Sequence, residues 1–214
     1  MNVQHLKSLL NSFAKIMLQK KDYLIRLDSV VGDGDLGLTM SDGFWAAYKA
    51  AEAFDGDDAG KLLYASGKAM ASAVPSTMGT LMASGFMNAG RALKGKTELV
   101  DSDLADLFQA FQDGVAARGK AEPGDKTFLD GMAPAVAEFR RSLQQGEKLR
   151  AAAAKAAEAA ENGFRNTATM LAVHGRAATR GEASRTLLDP GAAVAKLMMQ
   201  AFRLNAEEAA DRLQ

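Results

Sequence analysis

Three aspartates stand close together in one glycine-rich stretch of the chain. Asp33 and Asp35 lie within segment 31–37 (sequence VGDGDLG), and Asp28 precedes Asp33 by five residues. Glycine adopts a positive φ at no steric cost, so this segment can form a tight turn that aims its side chains at one point. Carboxylates held together repel one another unless protons or a cation intervene, and oxygen ligands without Cys or His favour Mg²⁺ or Ca²⁺ over zinc. The pattern therefore predicts a Mg²⁺ site and, on a glycine turn, phosphate chemistry.

Two other motifs overlap the same turn. Gly32, Gly34 and Gly37 satisfy the dinucleotide-binding pattern G-x-G-x-x-G, but the aspartates between them would repel a pyrophosphate unless a metal intervened. A helix-loop-helix calcium loop starting at Asp33 would place Phe44 at its twelfth position, where a bidentate Glu belongs. Both motifs are therefore disfavoured, and a solvated acidic turn between two helices remains the alternative to a metal site.

Length and composition indicate a single globular unit, and we expect one domain over residues 1–214. Lys plus Arg and Asp plus Glu number 26 each, which gives no indication of a nucleic acid or an anionic membrane as partner. No apolar run approaches the roughly 20 residues that span a bilayer, and the N-terminus lacks a secretory pattern. The absence of cysteine fits a reducing compartment, so we expect a cytoplasmic protein.

The apolar spacing predicts an all-α protein. Strong helix formers dominate, only four prolines occur, and β-branched runs are nearly absent. We expect Trp45 and Tyr48 to be buried, and Asp101 with Ser102 to cap a helix. The pattern gives eight or nine helices, at about 6–24, 42–54, 57–74, 76–93, from 101, 127–145, 147–161, 164–173 and from 189.

Three further loops have unusual polar or glycine content, at 74–80, 118–127 and 175–191. Hydroxyl groups and free amides at a helix N-terminus form an anion site, so these loops could meet the acidic turn around one nucleotide if alternate loops lie at the same end of a helical barrel. Ordinary capping and turn formation remain the alternative for each loop. No G-x-x-x-x-G-K-[ST] motif is present, and His174 is interpreted as the C-terminal residue of a helix.

These loops, in this order, resemble the nucleotide-binding L subunit of dihydroxyacetone kinase, which also occurs as the C-terminal domain of single-chain versions. The resemblance covers nearly the whole chain. The matching segments are 27–28 with 32–35, 119–121 with 123–127, then Asp130 and Pro134, and finally 175–177, 181–182 and 189–192.

The resemblance implies an all-α antiparallel barrel of about eight helices with the nucleotide site at one end. Asp28, Asp33 and Asp35 would hold two Mg²⁺ ions and act in catalysis through them. ADP or ATP would be contacted by Leu36, Gly37, Leu38, Thr39, Thr77, Met78, Gly79, Gly119, Phe128, Arg176, Asp189, Pro190 and Gly191.

The implied activity is phosphoryl transfer to dihydroxyacetone or another small ketose that a separate K-type subunit holds. The resemblance implies that the donor would be ATP or a phosphotransferase-system phosphocarrier, and a homodimer is left open. Leu36 replaces the family's usual histidine, segment 75–79 is bulkier than the usual glycine turn, and Thr179 and Arg180 also depart from the pattern. These departures suggest a divergent branch acting on a ketose such as erythrulose. Two alternatives stay open: a catalytically idle regulatory or interaction module that binds nucleotide, and a lipid-linked kinase component.

Overall fold

The computed structural model describes residues 1–211, which are predominantly helical and contain no strand. Two 3₁₀ helices, Thr167–Thr169 and Gly181–Thr186, flank the shortest α-helix. The α-helices within residues 1–211 are α1 (Val3–Gln19), α2 (Lys21–Val31), α3 (Leu36–Glu52), α4 (Ala59–Ala73), α5 (Thr77–Ala92), α6 (Asp101–Gly119), α7 (Phe128–Gln144), α8 (Leu149–Asn166), α9 (Gly175–Ala178) and α10 (Pro190–Asp211).

Eight of these helices have at least 15 residues, and they form a closed ring. From α3 to α8 each packs against the next in sequence, α1 packs against α3, and α10 closes the ring by packing against both α8 and α1. Short connections make sequential neighbours antiparallel. The prediction of an all-α antiparallel barrel is confirmed, and α2 is an additional short helix packed on α3.

A row of phenylalanines packs the interior of the ring. Phe44 contacts Phe86 at a centroid distance of 5.8 Å, and Phe86 contacts Phe111 at 5.0 Å, both edge to face. Phe111 then reaches Phe128 at the start of α7, at 6.1 Å. Such aromatic pairs each add about 0.5–1.5 kcal/mol beyond the burial of their area. The core thus extends up to the end of the ring where α7 begins.

The start of the chain differs from the expected single helix over 6–24. The chain leaves helical geometry at Lys20, whose amide still donates to the Ile16 carbonyl at 2.9 Å, and α2 begins at the next residue. Only Leu24 and Val31 of α2 are buried, so this helix lies on the ring and ends beside the acidic turn. The helix expected from residue 42 begins earlier, at Leu36.

Three local expectations were wrong. Trp45 is 49% exposed on the outer face of α3, where it contacts the half-buried Tyr48. The helix expected over 164–173 does not form, because α8 continues to Asn166 and the chain then passes through a 3₁₀ turn into extended backbone at Met170. Asp101 and Ser102 do not cap α6 as expected, because the helix begins at Asp101 and Val100 is its N-cap. Within residues 1–211, no helix has the length and apolarity needed to cross a membrane.

Candidate functional site

A cleft of about 990 Å³ opens at one end of the ring. It lies where α2 and α6 end and where α3, α5, α7, α9 and α10 begin. A cleft of this size can hold a small ligand such as a nucleotide. Its lining includes twelve of the sequence-predicted site residues, namely Asp28, Asp33, Asp35, Leu36, Thr77, Met78, Gly119, Phe128, Arg176, Asp189, Pro190 and Gly191.

The three aspartates converge at the mouth of this cleft. Asp28 offers a carboxylate oxygen from the last turn of α2, and one oxygen each from Asp33 and Asp35 lies within 4.8 Å of it and of each other. The turn is held from inside, because the Gly34 amide donates to Asp28 Oδ2 at 2.9 Å. Gly34 has a φ of +77°, a backbone conformation that is unfavourable for residues with a side chain. The glycine turn therefore places three acids at one point, as the spacing predicts.

The electrostatics of the cluster favour a bound cation. Burial, followed by repulsion from Asp33 and Asp28, raises the pKa of Asp35 above its usual value, and Arg176 partly offsets this rise. Arg176 forms an ion pair with Asp33, with 2.5 Å between Nη2 and Oδ2. One cation thus faces three carboxylates, all of which offer hard oxygen ligands. This donor set fits Mg²⁺, which commonly binds through a few carboxylates together with phosphate oxygens.

The N-terminus of α5 lines the same cleft as the acidic turn. Ser76 is the N-cap, and its hydroxyl oxygen accepts a hydrogen bond from the Gly79 amide at 3.0 Å. Thr77 and Met78 line the cleft, and amides in the first turn of a helix have no partner within the helix. The first turn therefore offers donors and a positive helix end to an anion. Ser76 thus caps the helix as ordinary capping would require, while the first turn still faces the cleft.

The start of α10 forms another wall with the start of α7. Asp189 is buried, and its carboxylate accepts from the Ala192 amide at 2.6 Å, so it caps α10. Burial raises the pKa of Asp189 to about 7. Gly191 allows the close approach, since a Cβ at this position would lie 3.0 Å from the Phe128 nitrogen. Asp189 therefore fixes the backbone geometry of this wall.

Four residues of the expected site lie outside the cleft lining. Gly37 faces α2, where a Cβ would meet the Lys21 carbonyl oxygen at 2.2 Å. Leu38 is 48% exposed, and Thr39 is buried. The Gly79 amide is engaged by the Ser76 cap. In this geometry these residues shape the turn and the helix starts rather than the surface of the cleft.

Two cleft residues were missed by the sequence interpretation. Lys126 is buried with a φ of +61°, and its ammonium is directed toward segment 170–187. His174 is the N-cap residue of α9, not the end of a helix, and its Nε2 lies 3.0 Å from Asp125 Oδ2. Both contacts join segments about 50 residues apart in sequence, so no local pattern could reveal them.

Together the fold and the cleft define an all-α ring protein whose open end combines an acidic cluster with exposed helix N-termini. The chain belongs to the DAK2 domain family, whose model matches residues 30–204. It is 37% identical over 193 residues to the ADP-binding subunit DhaL of the PEP-dependent dihydroxyacetone kinase of Escherichia coli K12, covering 90% of this chain and 92% of that protein. It is also 33% identical to the L-erythrulose 1-kinase of Mycolicibacterium smegmatis, covering 93% of this chain and 35% of that protein.

The fold is also that of a solved kinase structure. The native dihydroxyacetone kinase of C. freundii superposes with a TM-score of 0.71 at 21% sequence identity, over 93% of this chain and 34% of that one. The same enzyme in complex with AMP-PNP and Mg²⁺ gives a TM-score of 0.70 at 22% identity, over 92% of this chain and 33% of that one. At this level of identity the similarity establishes the shared fold.

Proposed function

We propose that this chain is the ADP/ATP- and Mg²⁺-binding subunit of a small-ketose kinase, and that it transfers a phosphoryl group to a sugar held on a separate K-type subunit. The observation that carries this proposal is the convergence of Asp28, Asp33 and Asp35 within 4.8 Å at the mouth of the cleft. Family membership and similarity to a protein named an ADP-binding subunit support the proposal.

In this proposal each wall of the cleft has a separate task. Asp28, Asp33 and Asp35 hold two Mg²⁺ ions, which when bound neutralise phosphate charge during the transfer. The first turn of α5 donates backbone hydrogen bonds to phosphate oxygens through Thr77 and Met78. The remaining contacts surround the nucleotide, through Leu36, Gly119, Phe128, Arg176, Asp189, Pro190 and Gly191. Gly37, Leu38, Thr39 and Gly79 act indirectly, by shaping the acidic turn and the helix starts.

Arg176 provides an exposed positive charge in this arrangement. Its guanidinium and the Asp33 carboxylate are both largely exposed, so their ion pair contributes little to the stability of the fold. If the carboxylates held a cation, Asp33 would no longer depend on Arg176 for a positive partner, and the guanidinium would be available to the nucleotide. Arginine suits the task because its planar group can donate two parallel hydrogen bonds to a phosphate.

The names of the relatives support a kinase over the idle-module alternative. One relative is a PTS-dependent dihydroxyacetone kinase subunit from Lactococcus lactis, and others are the D-erythrulose kinase of Mycolicibacterium smegmatis and the L-erythrulose 1-kinase already described. We therefore extend the proposal to a phosphoryl donor that is ATP or a phosphotransferase-system phosphocarrier. The acceptor class is a small ketose such as dihydroxyacetone or erythrulose.

Reconstitution tests this function. The purified chain is mixed with a K-type dihydroxyacetone-binding subunit, and sugar phosphate is measured with ATP or a phosphorylated phosphocarrier as donor and with dihydroxyacetone or erythrulose as acceptor. We expect no product from either subunit alone and turnover from the pair. Absence of product in every combination, with Mg²⁺-dependent ADP binding intact, would favour the idle module.

A further inference from the structure

Lys126 forms a set of hydrogen bonds that has no part in the proposed phosphate and metal chemistry. Its side chain is buried, and its ammonium donates hydrogen bonds to three backbone carbonyl oxygens: Met170 at 3.2 Å, Leu187 at 2.6 Å and Ser184. A lysine ammonium has three donors. All of them are directed at protein oxygens, so Lys126 has no donor left for a ligand although it borders the cleft.

The backbone around Lys126 is itself anchored to α7. The two carboxylate oxygens of Asp130 accept hydrogen bonds from the amides of Gly124 and Thr127, each at 2.6 Å. Lys126 lies between these amides with a φ of +61°, a left-handed conformation that costs a non-glycine residue about 1 kcal/mol or more. Glycine would relieve that strain but could not supply the ammonium. The position thus combines a fixed backbone with a side chain directed toward another part of the chain.

Segment 170–189, the other partner in this contact, has little regular structure of its own. It consists of extended backbone, the four-residue helix α9 and one 3₁₀ helix. It contributes His174, Arg176 and Asp189 to the wall of the cleft. The carbonyls that Lys126 binds lie near both ends of the segment. The one ammonium group therefore links the two ends of segment 170–189 to each other and to the start of α7.

We propose that Lys126 is a positioning residue that ties segment 170–189 to the start of α7, and that nucleotide affinity depends on this tie. Hydrogen bonds from a charged donor are stronger than neutral ones, and here the donor is a buried side chain. Loss of the ammonium would leave the buried Ser184 carbonyl and the partly buried Met170 and Leu187 carbonyls without this donor. The segment would then sample open conformations in which the cleft lacks one wall.

Limited tryptic digestion of the whole chain without nucleotide tests the tie directly. The segment contains three exposed arginines (Arg176, Arg180 and Arg185), each a cleavage site that local order protects. We expect Lys126→Met to speed cleavage at these sites by about tenfold or more, as the loss of charge-assisted hydrogen bonds predicts, with little change at Arg91 on α5. Lys120→Met is the matched control, because Lys120 also has a positive φ (51°) but an exposed side chain.

Calorimetry with ADP and Mg²⁺ tests the second half of the proposal, which rests on the proposed function. We expect Lys126→Met to bind ADP about tenfold or more weakly and Lys120→Met to bind like the wild type. Failure of the wild type to bind ADP would refute the proposed function, whereas digestion would still decide whether Lys126 ties the segment.

Three results would overturn the proposal. They are unchanged cleavage of segment 170–189 in Lys126→Met, faster cleavage there with unchanged ADP affinity, and faster cleavage at every site with a matching fall in Tm, which would indicate a general stabilising role. If Lys126→Met does not accumulate as folded protein, Lys126→Gln takes its place with the same expectations, since it removes both the charge and the reach of the ammonium.

Discussion

Replacing Asp35 with asparagine should remove most of the metal-dependent nucleotide affinity and leave the fold intact. Asp35 occupies the N-cap position of α3, but its side chain makes no capping hydrogen bond, so the substitution breaks no structural contact of this kind. In the metal-free protein the carboxylate is instead repelled by Asp33 and Asp28, and its pKa is raised. The expected effects on stability and on binding therefore have opposite signs.

The sign on stability follows from the raised pKa. When the pKa of an acid is higher in the folded protein than in the unfolded chain, the acid stabilises the fold at pH values below the unfolded-state pKa. That contribution is lost as the pH rises through the folded-state pKa. At neutral pH the ionised Asp35 is therefore a small cost to the metal-free fold. Two like charges 4.8 Å apart repel by about 1 kcal/mol at the dielectric of water. Asp35→Asn should thus be equal to or slightly more stable than the wild type.

The binding effect should be larger, because a dication doubles the charge and contacts the carboxylate directly. We expect a loss of about 3 kcal/mol or more, roughly a hundredfold in the Kd of ADP with Mg²⁺. The assay is calorimetric titration with a parallel thermal melt. Asp42→Asn is the matched control, since Asp42 is exposed on the same helix outside the cluster. An Asp35→Asn protein that binds within about threefold of the wild type, or an equal loss in the control, would refute the reasoning.

Three further predictions follow from single contacts. Arg176→Ala should weaken ADP binding by about 1–3 kcal/mol with little change in Tm, because its ion pair is exposed, and Arg180→Ala should bind like the wild type in the same titration. Gly95→Ala should lose about 1 kcal/mol in urea melts because of its positive φ, and Gly34→Ala at least as much, because a Cβ there would also meet the Ser29 hydroxyl at 2.5 Å; only Gly34→Ala should lose Mg²⁺-dependent binding. Asp189→Asn keeps the α10 cap acceptor. Since the raised pKa makes ionisation costly in the folded state, wild-type stability should fall relative to this variant as the pH rises from about 4 to 7, and parallel curves over that range would contradict the burial argument.

The amino-acid pattern predicts the helical class and the metal cluster because both depend on local chemistry. Helix formers at regular spacing need only a buried side to pack against, and α4, α5 and α7 lie within two residues of their expected bounds. The acidic turn is similarly local, since Gly34 and Asp28 are six residues apart and hydrogen-bond to each other. Features set by neighbouring residues could therefore be inferred without the fold.

Features set by distant contacts could not be inferred in this way. Trp45 has the apolarity of a core residue, but the ring places its side of α3 outward. Residues 170–173 have helix-compatible composition, but the Val173 amide donates to the Asp125 carbonyl, which requires extended backbone. Lys126 lies in the polar loop 118–127, where no local pattern indicates a buried side chain, and its ammonium is held by carbonyls more than 40 residues away. Tertiary contacts override local propensity at these positions.

A calorimetric titration of the wild-type chain with ADP, first with Mg²⁺ and then with EDTA, tests the central claim most directly. The convergence of three carboxylates beside the open N-terminus of α5 predicts binding with Mg²⁺ and its loss in EDTA. Equal binding in both conditions would contradict the metal role of the acidic turn. Absence of binding in both would contradict the assignment of the cleft as a nucleotide site.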